Sequence, residues 1–502
     1  MTNLSSPVLP YFSLYENSHK MTGEALLQHY RTMPGYWDEM LSATGIRSEY
    51  QQVASTLQQL RTDDLFQKDR LAADLFMNQG ITFTVYSEDK GIERIFPFDI
   101  IPRIIRAAEW EHIEKGIRQR LQALNLFLKD IYNEQQIVKD GIVPAELIAS
   151  CPQYTREVHG IRPAHDIHVH IAGIDLIRGA DGVFYVLEDN LRTPSGVSYM
   201  LENREVTKRL FPDLLSGNKV RMVGNYPLML HQNLVSLATR QIAQPVVVLL
   251  TPGIFNSAYY EHTFLARTMG IPLVEGRDLM VDNHKVYMKT TQGLQQVDVI
   301  YRRIDDEYLD PLVFRADSAL GVSGLMSAYR KGNVVLVNAV GNGVADDKAI
   351  YAYVPDMIKY YLNEDPLIPN VPTYQMSDPD AFRHVFANIG SMVVKKTDQS
   401  GGYGMLMGNK AEEQEIEVYR QQVAEDPRNF IAQPIITLST VPCFLDGKLQ
   451  SRHVDLRPFA LCGPNGISIV PGGLTRVALR EGSLVVNSSQ GGGSKDTWIV
   501  DG

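Results

Sequence analysis

Two apolar runs flank a Gly-Ala-Asp-Gly turn between Gly173 and Asn190, a pattern that predicts two antiparallel strands. If Asp181-Gly182 is the centre of a two-residue loop, Asp175 lies directly opposite Glu188, and Asn190 lies on the same face. Two facing carboxylates repel each other, so a cation is expected between them. Carboxylate and amide oxygens suit Mg²⁺, which usually also binds substrate phosphates. The alternative is a surface hairpin whose acidic side chains are solvated.

The size and composition of the chain limit the class of protein to which it can belong. A chain of 502 residues should divide into about two to four domains, and 44% hydrophobic with 21% charged residues is typical of a soluble globular protein. The net charge of −10 argues against nucleic acid as the main partner. Three widely spaced cysteines, the absence of a signal-peptide pattern at the N-terminus and the lack of a membrane-length apolar run predict a cytoplasmic protein with no membrane partner.

The periodicity of apolar residues predicts a mixed α/β chain. One helix is expected over Gln51–Asn78, and a longer one should begin near Pro102 and end near Gly141. Short apolar runs that alternate with helical segments between residues 246 and 337 indicate an α/β unit with buried strands. The chain after Val371 is rich in predicted strands.

A strand, a lysine pair and a glycine-rich loop follow one another between Met392 and Met405. A lysine on such a strand, here Lys395 or Lys396, can place its ammonium against a phosphate. Glycines let backbone N–H groups approach phosphate oxygens, and a flexible loop can close over a nucleotide. The alternative is a tight hairpin that needs glycines for its turn. The loop glycines are Gly401, Gly402 and Gly404.

Two further strands carry candidate ligand-binding groups. Phe430–Ile435 is interrupted by Pro434, so backbone groups at its end could bind an adenine, although a plain edge strand would also fit. Asp455 and Arg457 share one face of a later strand. Arginine binds phosphate or carboxylate through two parallel hydrogen bonds, and a solvated strand face is the competing interpretation.

Together these segments resemble the ATP-grasp superfamily, but in a different order along the chain. In an ordinary ATP-grasp ligase the lysine strand and glycine loop precede the acidic hairpin, whereas here they follow it by about 200 residues. That order is similar to the circularly permuted ATP-grasp proteins of type 2, also described as glutathionylspermidine synthase-like. The resemblance covers nearly the whole chain and rests on several segments, which are 94–103, 116–125, 187–199, 400–405 and 489–498.

The resemblance implies a role for each matching residue. It implies ATP and Mg²⁺ as cofactors, with the metal bound by Asp175, Glu188 and Asn190. It implies that Lys395 contacts nucleotide phosphates, although Lys396 stands where the family commonly has proline. The remaining implied residues are Lys348 as the earlier nucleotide-binding lysine, Gln433 at the adenine hinge where relatives often have Glu, and Arg192 and Arg457 as catalytic groups for the carboxylate or γ-phosphate.

The implied fold is α/β (α+β): a circularly permuted ATP-grasp fold with an inserted α/β domain and N-terminal helices. The predicted parts are a helical region (1–80), an ATP-grasp C-terminal half with the Mg²⁺-binding hairpin (81–205), a helical connector (206–240), a pre-ATP-grasp-like α/β domain (241–345) and an ATP-grasp N-terminal half with the lysine strand and lid (346–502).

The implied activity is that of a carboxylate–amine ligase that forms an amide or peptide bond from small-molecule or peptide substrates through an acyl phosphate. A nucleotide-binding module without turnover is the nearest alternative, and a kinase that releases a phosphorylated product is a more distant one. The sequence names neither substrate and does not fix the oligomeric state.

Overall fold

The computed structural model of the protein describes residues 22–87, 90–397, 404–486 and 492–501. Within these residues the α-helices are α1 (Gly23–His29), α2 (Gln51–Gln59), α3 (Thr62–Asn78), α4 (Ala107–Ile131), α5 (Gln136–Lys139), α6 (Ala145–Ala149), α7 (Val197–Leu210), α8 (Pro212–Gly217), α9 (Tyr226–Ser236), α10 (Tyr259–Met269), α11 (Leu325–Arg330), α12 (Lys348–Tyr351), α13 (Val354–Leu362), α14 (Pro379–Ala387) and α15 (Glu413–Glu425).

The strands of the described residues are β1 (Leu41–Ser42), β2 (Gly45–Ile46), β3 (Thr82–Ser87), β4 (Lys90–Ile95), β5 (Phe98–Arg106), β6 (Ile171–Arg178), β7 (Phe184–Asn190), β8 (Val247–Leu250), β9 (Leu273–Val274), β10 (Leu279–Asp282), β11 (Lys285–Thr290), β12 (Gly293–Gln296), β13 (Val299–Arg302), β14 (Val335–Val337), β15 (Tyr374–Gln375), β16 (Met392–Lys396), β17 (Met405–Met407), β18 (Phe430–Pro434), β19 (Thr440–Leu445), β20 (Lys448–Gly463), β21 (Gly466–Val477) and β22 (Gly493–Val500).

The largest sheet joins segments from both ends of the chain. Its strand order is β5-β22-β21-β20-β6-β7, with β19 paired to β20, and β22 runs parallel to β5. Alternate residues of β6, β20 and β22 enter two different apolar clusters, because successive side chains of a strand point to opposite faces. Helix α4 contributes to one cluster and α7 to the other, so the sheet is the middle layer of an α/β/α arrangement.

Two smaller sheets matter for the site. The antiparallel sheet β15-β18-β16-β17 carries the lysine pair and has its own apolar cluster. The parallel sheet β14-β13-β8-β9 is buried on both faces, as its continuous apolar runs predict. An antiparallel sheet, β10-β11-β12, lies next to it in the chain.

Two predicted helices differ from the structure. Pro102 does not begin a helix; it lies inside β5, and α4 begins five residues later. In the main sheet β5 pairs with β22 at one edge, a position that tolerates proline because one side of the strand needs no ladder hydrogen bonds. The helix predicted over Gln51–Asn78 is two helices, because Leu60 and Arg61 are extended, and the Asp64 carboxylate accepts a hydrogen bond from the Arg61 backbone N–H at 2.9 Å at the start of α3.

None of the helices in the described part of the chain is both long enough and apolar enough to cross a membrane.

Candidate active site

The acidic hairpin has the predicted pairing at the site, although its turn is longer than predicted and one strand contains a bulge. Asp175 lies opposite Glu188, and Gly173 lies opposite Asn190. The turn is one residue longer than a two-residue loop, because Arg178 pairs with Phe184 and the chain reverses over the residues between them. A β-bulge at Leu187 then adds one residue to β7, and the two offsets cancel.

Asp175 is fully buried and is neutralised by two arginines. Arg457 donates from Nε to Oδ1 at 2.5 Å and from Nη2 to Oδ2 at 2.7 Å, and Arg476 donates from Nη2 to Oδ2 at 2.6 Å. Arg476 also donates from Nε to Asp455 at 3.0 Å. Burial raises the pKa of Asp175, but the two guanidiniums outweigh burial and hold the pKa below its ordinary value. Arg457 also lies 3.9 Å from Glu188, so a guanidinium is the cation between the two facing carboxylates.

Glu188 and Asn190 have unused polar capacity. Glu188 Oε1 is 3.9 Å from Arg457 Nη2, and Oε2 is 3.9 Å from Lys348 Nζ, so both oxygens are beyond hydrogen-bond distance of these cations. The Nδ2 atom of Asn190 is buried and has no hydrogen-bond partner among the described residues. A buried donor without a partner is costly, so this side chain is suited to a ligand.

These observations test the predicted Mg²⁺ site. Protein sites usually hold Mg²⁺ through one or two carboxylates together with substrate phosphates, so they need no complete cage of side chains. Glu188 fits that pattern, and Asn190 would join it through Oδ1, because the unpartnered Nδ2 is a donor and cannot bind a cation. Asp175 would have to exchange a guanidinium for the ion. Among the residues described, no group of three His, Cys, Asp or Glu side chains is arranged to hold a metal.

The lysine sheet faces the hairpin. Lys395 Nζ donates to Gln433 Oε1 at 2.8 Å, and Gln433 Nε2 donates to Thr373 Oγ1 at 2.9 Å. Burial lowers the pKa of Lys395 to about 8, although Glu188 acts in the opposite direction. The neighbouring Lys396 lies 5.8 Å from the ring centroid of Phe430. Lys395 therefore points toward the acidic hairpin and its neighbour packs on an aromatic ring.

Lys348 begins the short helix α12 and is held there by its neighbours. Asp347 caps this helix by accepting hydrogen bonds from the backbone N–H groups of Ala349 at 2.8 Å and Ile350 at 3.2 Å. Arg428 pairs with the same carboxylate at 3.0 Å. The backbone that carries Lys348 is therefore fixed before any ligand binds.

A cleft with about 1040 Å³ of empty space separates the hairpin from the lysine sheet. Apolar lining residues that follow Pro434, among them Ile436 and Leu438, pack in one cluster with Ile177 and Val486, and this cluster is called the apolar slot. The lining also includes charged and polar side chains. The polar set is Asp175, Glu188, Lys348, Lys395, Lys396, Gln433, Asp455 and Arg476, and the apolar set includes Ile177, Leu187, Val393, Met405, Met407, Ile436, Leu438 and Val486. An apolar slot beside a charged region matches the two ends of a nucleotide.

A second, smaller cavity of about 470 Å³ shares Glu188 and Lys348, and no other described residue, with the cleft. It is lined mainly by polar groups, including Asn190 and Arg192. Arg192 donates from Nε to Asp346 at 2.7 Å and retains 29% exposure of its side chain. A molecule in this cavity would reach the same two residues that border the charged end of the cleft.

The structure places the predicted residues in two groups. The cleft brings together Asp175, Glu188, Lys348, Lys395 and Gln433. Asn190 and Arg192 line the second cavity, and Arg457 contacts Asp175 from the neighbouring strand. Gly404 has a φ of 62° and its carbonyl accepts a hydrogen bond from the Tyr419 hydroxyl. Gly401 and Gly402 lie outside the described residues, so the lid stays a prediction.

The sequence patterns do not single out Arg476, and they give Asp455 no role at the site. Both line the cleft, and Arg476 bridges Asp175 to Asp455. No local motif marks Arg476, which is 301 residues from Asp175. One signal in the sequence could have pointed to a further cation. Asp455 lies two residues before Arg457 on a single strand, and a buried carboxylate at that position requires a cationic partner.

The fold and site together define an ATP-grasp protein in which the acidic hairpin precedes the lysine sheet. The sequence model of one family, circularly permuted ATP-grasp type 2, matches residues 102–478. The chain belongs to that family.

Several relatives are similar over most of the chain. An uncharacterized protein of Synechocystis sp. is 53% identical over 471 residues, covering 93% of this chain and 98% of the relative. An uncharacterized protein of Mycobacterium tuberculosis is 50% identical over 482 residues, covering 95% of this chain and 87% of the relative.

A third relative is longer than this chain. A protein of Frankia alni, provisionally named glutamate–cysteine ligase 2-3, is 43% identical over 481 residues, which covers 94% of this chain but only 54% of the relative. Its name therefore describes a protein of which this chain spans about half.

Among solved structures, the apo form of a glutathione synthetase-like effector from Globodera pallida is similar, with a TM-score of 0.58 and 12% identity over 88% of this chain and 98% of that one. This likeness concerns the fold.

Proposed function

We propose that the protein is an ATP- and Mg²⁺-dependent ligase that joins a carboxylate to an amine. The observation that carries the proposal is the cleft in which Lys348, Lys395 and Glu188 converge beside an apolar slot. Family membership and the provisional ligase name of the Frankia alni relative support the same class of reaction.

In the proposed arrangement the adenine occupies the apolar slot near Gln433 and Pro434, and the phosphates extend toward Lys395 and Lys348. Both ammonium groups would bind phosphate oxygens by charge-assisted hydrogen bonds. Glu188 and Asn190, joined by Asp175 after it releases a guanidinium, would hold Mg²⁺. A bound Mg²⁺ would neutralise charge on the phosphates and align the transferred phosphoryl group.

The reaction would proceed in two displacements. A carboxylate oxygen of the acid attacks the γ-phosphorus of ATP, the bond to the β-phosphate oxygen breaks, and ADP leaves. The amine nitrogen then attacks the acyl carbon, the carbon–oxygen bond to phosphate breaks, and inorganic phosphate leaves as the nitrogen loses a proton. Arg192 and Arg457 are proposed to stabilise the charge that develops on the transferring oxygens.

The second cavity is proposed to receive the acid. It meets the cleft at Glu188 and Lys348, where the terminal phosphate would lie, and Arg192 and the unpartnered Nδ2 of Asn190 supply donors for a carboxylate. Water must be kept from the acyl phosphate, and a lid formed by the glycine loop is proposed to do so.

An assay for ADP release with a mixture of acids and amines tests this proposal. Release that requires ATP, Mg²⁺, an acid and an amine supports a ligase. A phosphorylated product formed without an amine would indicate a kinase. Tight ATP binding without turnover would favour a non-catalytic ATP-binding module, an alternative supported by the arginines that already neutralise Asp175.

A further inference from the structure

The turn that follows Asn190 is held by a helix of the segment that carries the parallel sheet, within the predicted inserted domain (241–345), which is called the inserted region below. Glu261, in the first turn of α10, is fully buried. Its Oε2 atom accepts hydrogen bonds from the backbone N–H groups of Gly196 at 2.8 Å and Ser198 at 3.0 Å, and from the Ser198 hydroxyl at 2.9 Å. Gly196 is the N-cap of α7 and has a φ of 111°.

Helix α7 therefore takes its N-terminal cap from another part of the chain. Its own N-cap, Gly196, has no side chain that could accept the free N–H groups of the first turn. The carboxylate of Glu261 supplies that acceptor, and its negative charge is favourable at a helix N-terminus.

Arg303, which directly follows β13, holds the other side of the same turn. It donates from Nη1 to the Pro194 carbonyl at 2.7 Å and from Nη2 to the Ser195 hydroxyl at 2.6 Å, and it pairs with Glu261 at 3.4 Å. The side chain is 2% exposed, and its Nε has no hydrogen-bond partner within the described residues. The two terminal nitrogens of Arg303 therefore face the turn.

Ser195 connects this arrangement to the candidate active site. Its hydroxyl accepts from Arg303, and its backbone carbonyl accepts from Arg457 Nη1 at 3.2 Å. Arg457 in turn binds both oxygens of Asp175. One residue thus contacts the inserted region on one side and the guanidinium of the site on the other.

We infer that Arg303 and Glu261 are positioning residues for Arg457. They hold the Pro194–Ser198 turn so that the Ser195 carbonyl fixes one end of the Arg457 guanidinium, and through it the inserted region sets the geometry at Asp175. This inference rests on the proposed function only for its effect on turnover. The placement of the turn is independent of any reaction.

Two substitutions test the inference with little change in volume. Arg303→Lys keeps a positive charge but cannot reach Pro194, Ser195 and Glu261 together. Ser195→Ala removes the hydroxyl and keeps the backbone carbonyl that Arg457 contacts. Since small displacements of catalytic groups are costly, we expect kcat to fall by about tenfold for Arg303→Lys and about threefold for Ser195→Ala, with the Kd for ATP changed by less than about twofold.

Arg315→Ala is the matched control, because Arg315 lies in the same region but pairs with Asp317 at the surface. It should leave kcat unchanged. Hydrogen exchange should become faster at the amides of Gly196 and Ser198 in Arg303→Lys, and the Nε–H resonance of Arg457 should lose protection.

The outcomes separate the inference from the proposed function. A lowered kcat together with faster exchange of the turn supports the inference. Unchanged exchange, or faster exchange with an unchanged kcat, overturns it. If the wild-type protein binds ATP but has no acid- and amine-dependent turnover, the proposed function fails, and an unaltered Arg457 resonance in Arg303→Lys would then overturn the inference on its own.

Discussion

The two walls of the cleft differ in how their charged side chains are compensated. On the hairpin wall, formed by β6, β7, β20 and β21, the buried carboxylates of Asp175 and Asp455 are matched by Arg457 and Arg476. On the lysine wall, formed by β16 and β18, Lys395 has a neutral amide as its hydrogen-bond partner, and burial lowers its pKa.

This difference indicates what each wall requires from a ligand. On the hairpin wall Asp175 already has two guanidinium partners, so its charge is neutralised without a ligand. The lysine wall holds a desolvated ammonium whose charged form gains from an anion. The nucleotide phosphates would therefore stabilise the lysine wall most, and the hairpin wall would change only where Asp175 exchanges a guanidinium for Mg²⁺.

The largest effect is expected at Glu188, the hairpin carboxylate without a close arginine partner among the described residues. Glu188→Gln should abolish acid- and amine-dependent ADP release while shifting the melting temperature by only a few degrees. Its nearest cations are 3.9 Å away, so little stability depends on it. Glu205→Gln, at an exposed pair with Lys208, is the control. Wild-type turnover in Glu188→Gln would contradict the metal assignment.

The next largest effect is on stability, and it should distinguish the two facing carboxylates by their contributions to the free energy of unfolding. Asp175→Asn should lower the free energy of unfolding by about 3–5 kcal/mol, because it leaves two buried guanidiniums without their shared carboxylate. Urea denaturation at neutral pH measures this loss. Because the folded-state pKa of Asp175 is depressed, its contribution is present above the unfolded pKa and is lost as pH falls toward the folded one. A loss no larger than that of Glu188→Gln would show that the two arginines do not make Asp175 more important for stability than the carboxylate that faces it.

A third substitution tests the lysine wall by its affinity for ATP. Lys395→Met should weaken ATP binding by about 10–100-fold, the value of one charge-assisted hydrogen bond. Isothermal titration calorimetry measures it, with Lys396→Met as the matched neighbour. If only Lys396→Met loses affinity, the phosphate-binding lysine has been assigned to the wrong position.

The same substitution should stabilise the unliganded protein. At pH 7 the folded state bears the cost of a charged, partly buried Lys395, so Lys395→Met should raise the free energy of unfolding by about 1–2 kcal/mol. Between the folded pKa of about 8 and the unfolded value of 10.5, the unfolded chain holds more protons. The stability of the wild-type protein therefore rises with pH in that window, and the difference between the two proteins should shrink there. A variant less stable than wild type at pH 7 would rule out this account.

The smallest effect is expected at Gln433. Gln433→Glu would place a carboxylate near Lys395 Nζ, where the amide oxygen is now 2.8 Å away, and should raise the pKa of that lysine by roughly one unit. ATP affinity measured from pH 7 to pH 10 should fall at a correspondingly higher pH than in wild type. The same midpoint in both proteins would show that Lys395 does not control the pH dependence.

Local patterns in the sequence were sufficient to predict much of the site. The facing pair Asp175 and Glu188 was predicted from strand alternation and a two-residue turn, and that pairing is found because the longer turn and the bulge offset each other. The buried strands of the parallel sheet follow from continuous apolar runs. The placement of Lys395 opposite the hairpin was predicted by resemblance to the family, since no spacing rule relates segments 200 residues apart.

Other parts of the structure depend on contacts that no local pattern encodes. Arg476 and the cap that Glu261 provides for α7 join segments far apart in the chain. The prediction that Pro102 begins a helix was wrong, because proline is compatible both with a first helical turn and with an edge strand. Only the neighbouring strand β22 decides between the two.

The bulge at Leu187 divides the hairpin into two parts with different pairing registers. It brings two consecutive residues, Leu187 and Glu188, to the same cleft, where strict alternation would send one of them away. It also means that the pairing at the site is fixed beyond the bulge and not by the turn. The exposed Ala180 at the hairpin tip is therefore a position where a fluorescent label or a short inserted peptide could report on ligand binding without disturbing the acidic pair.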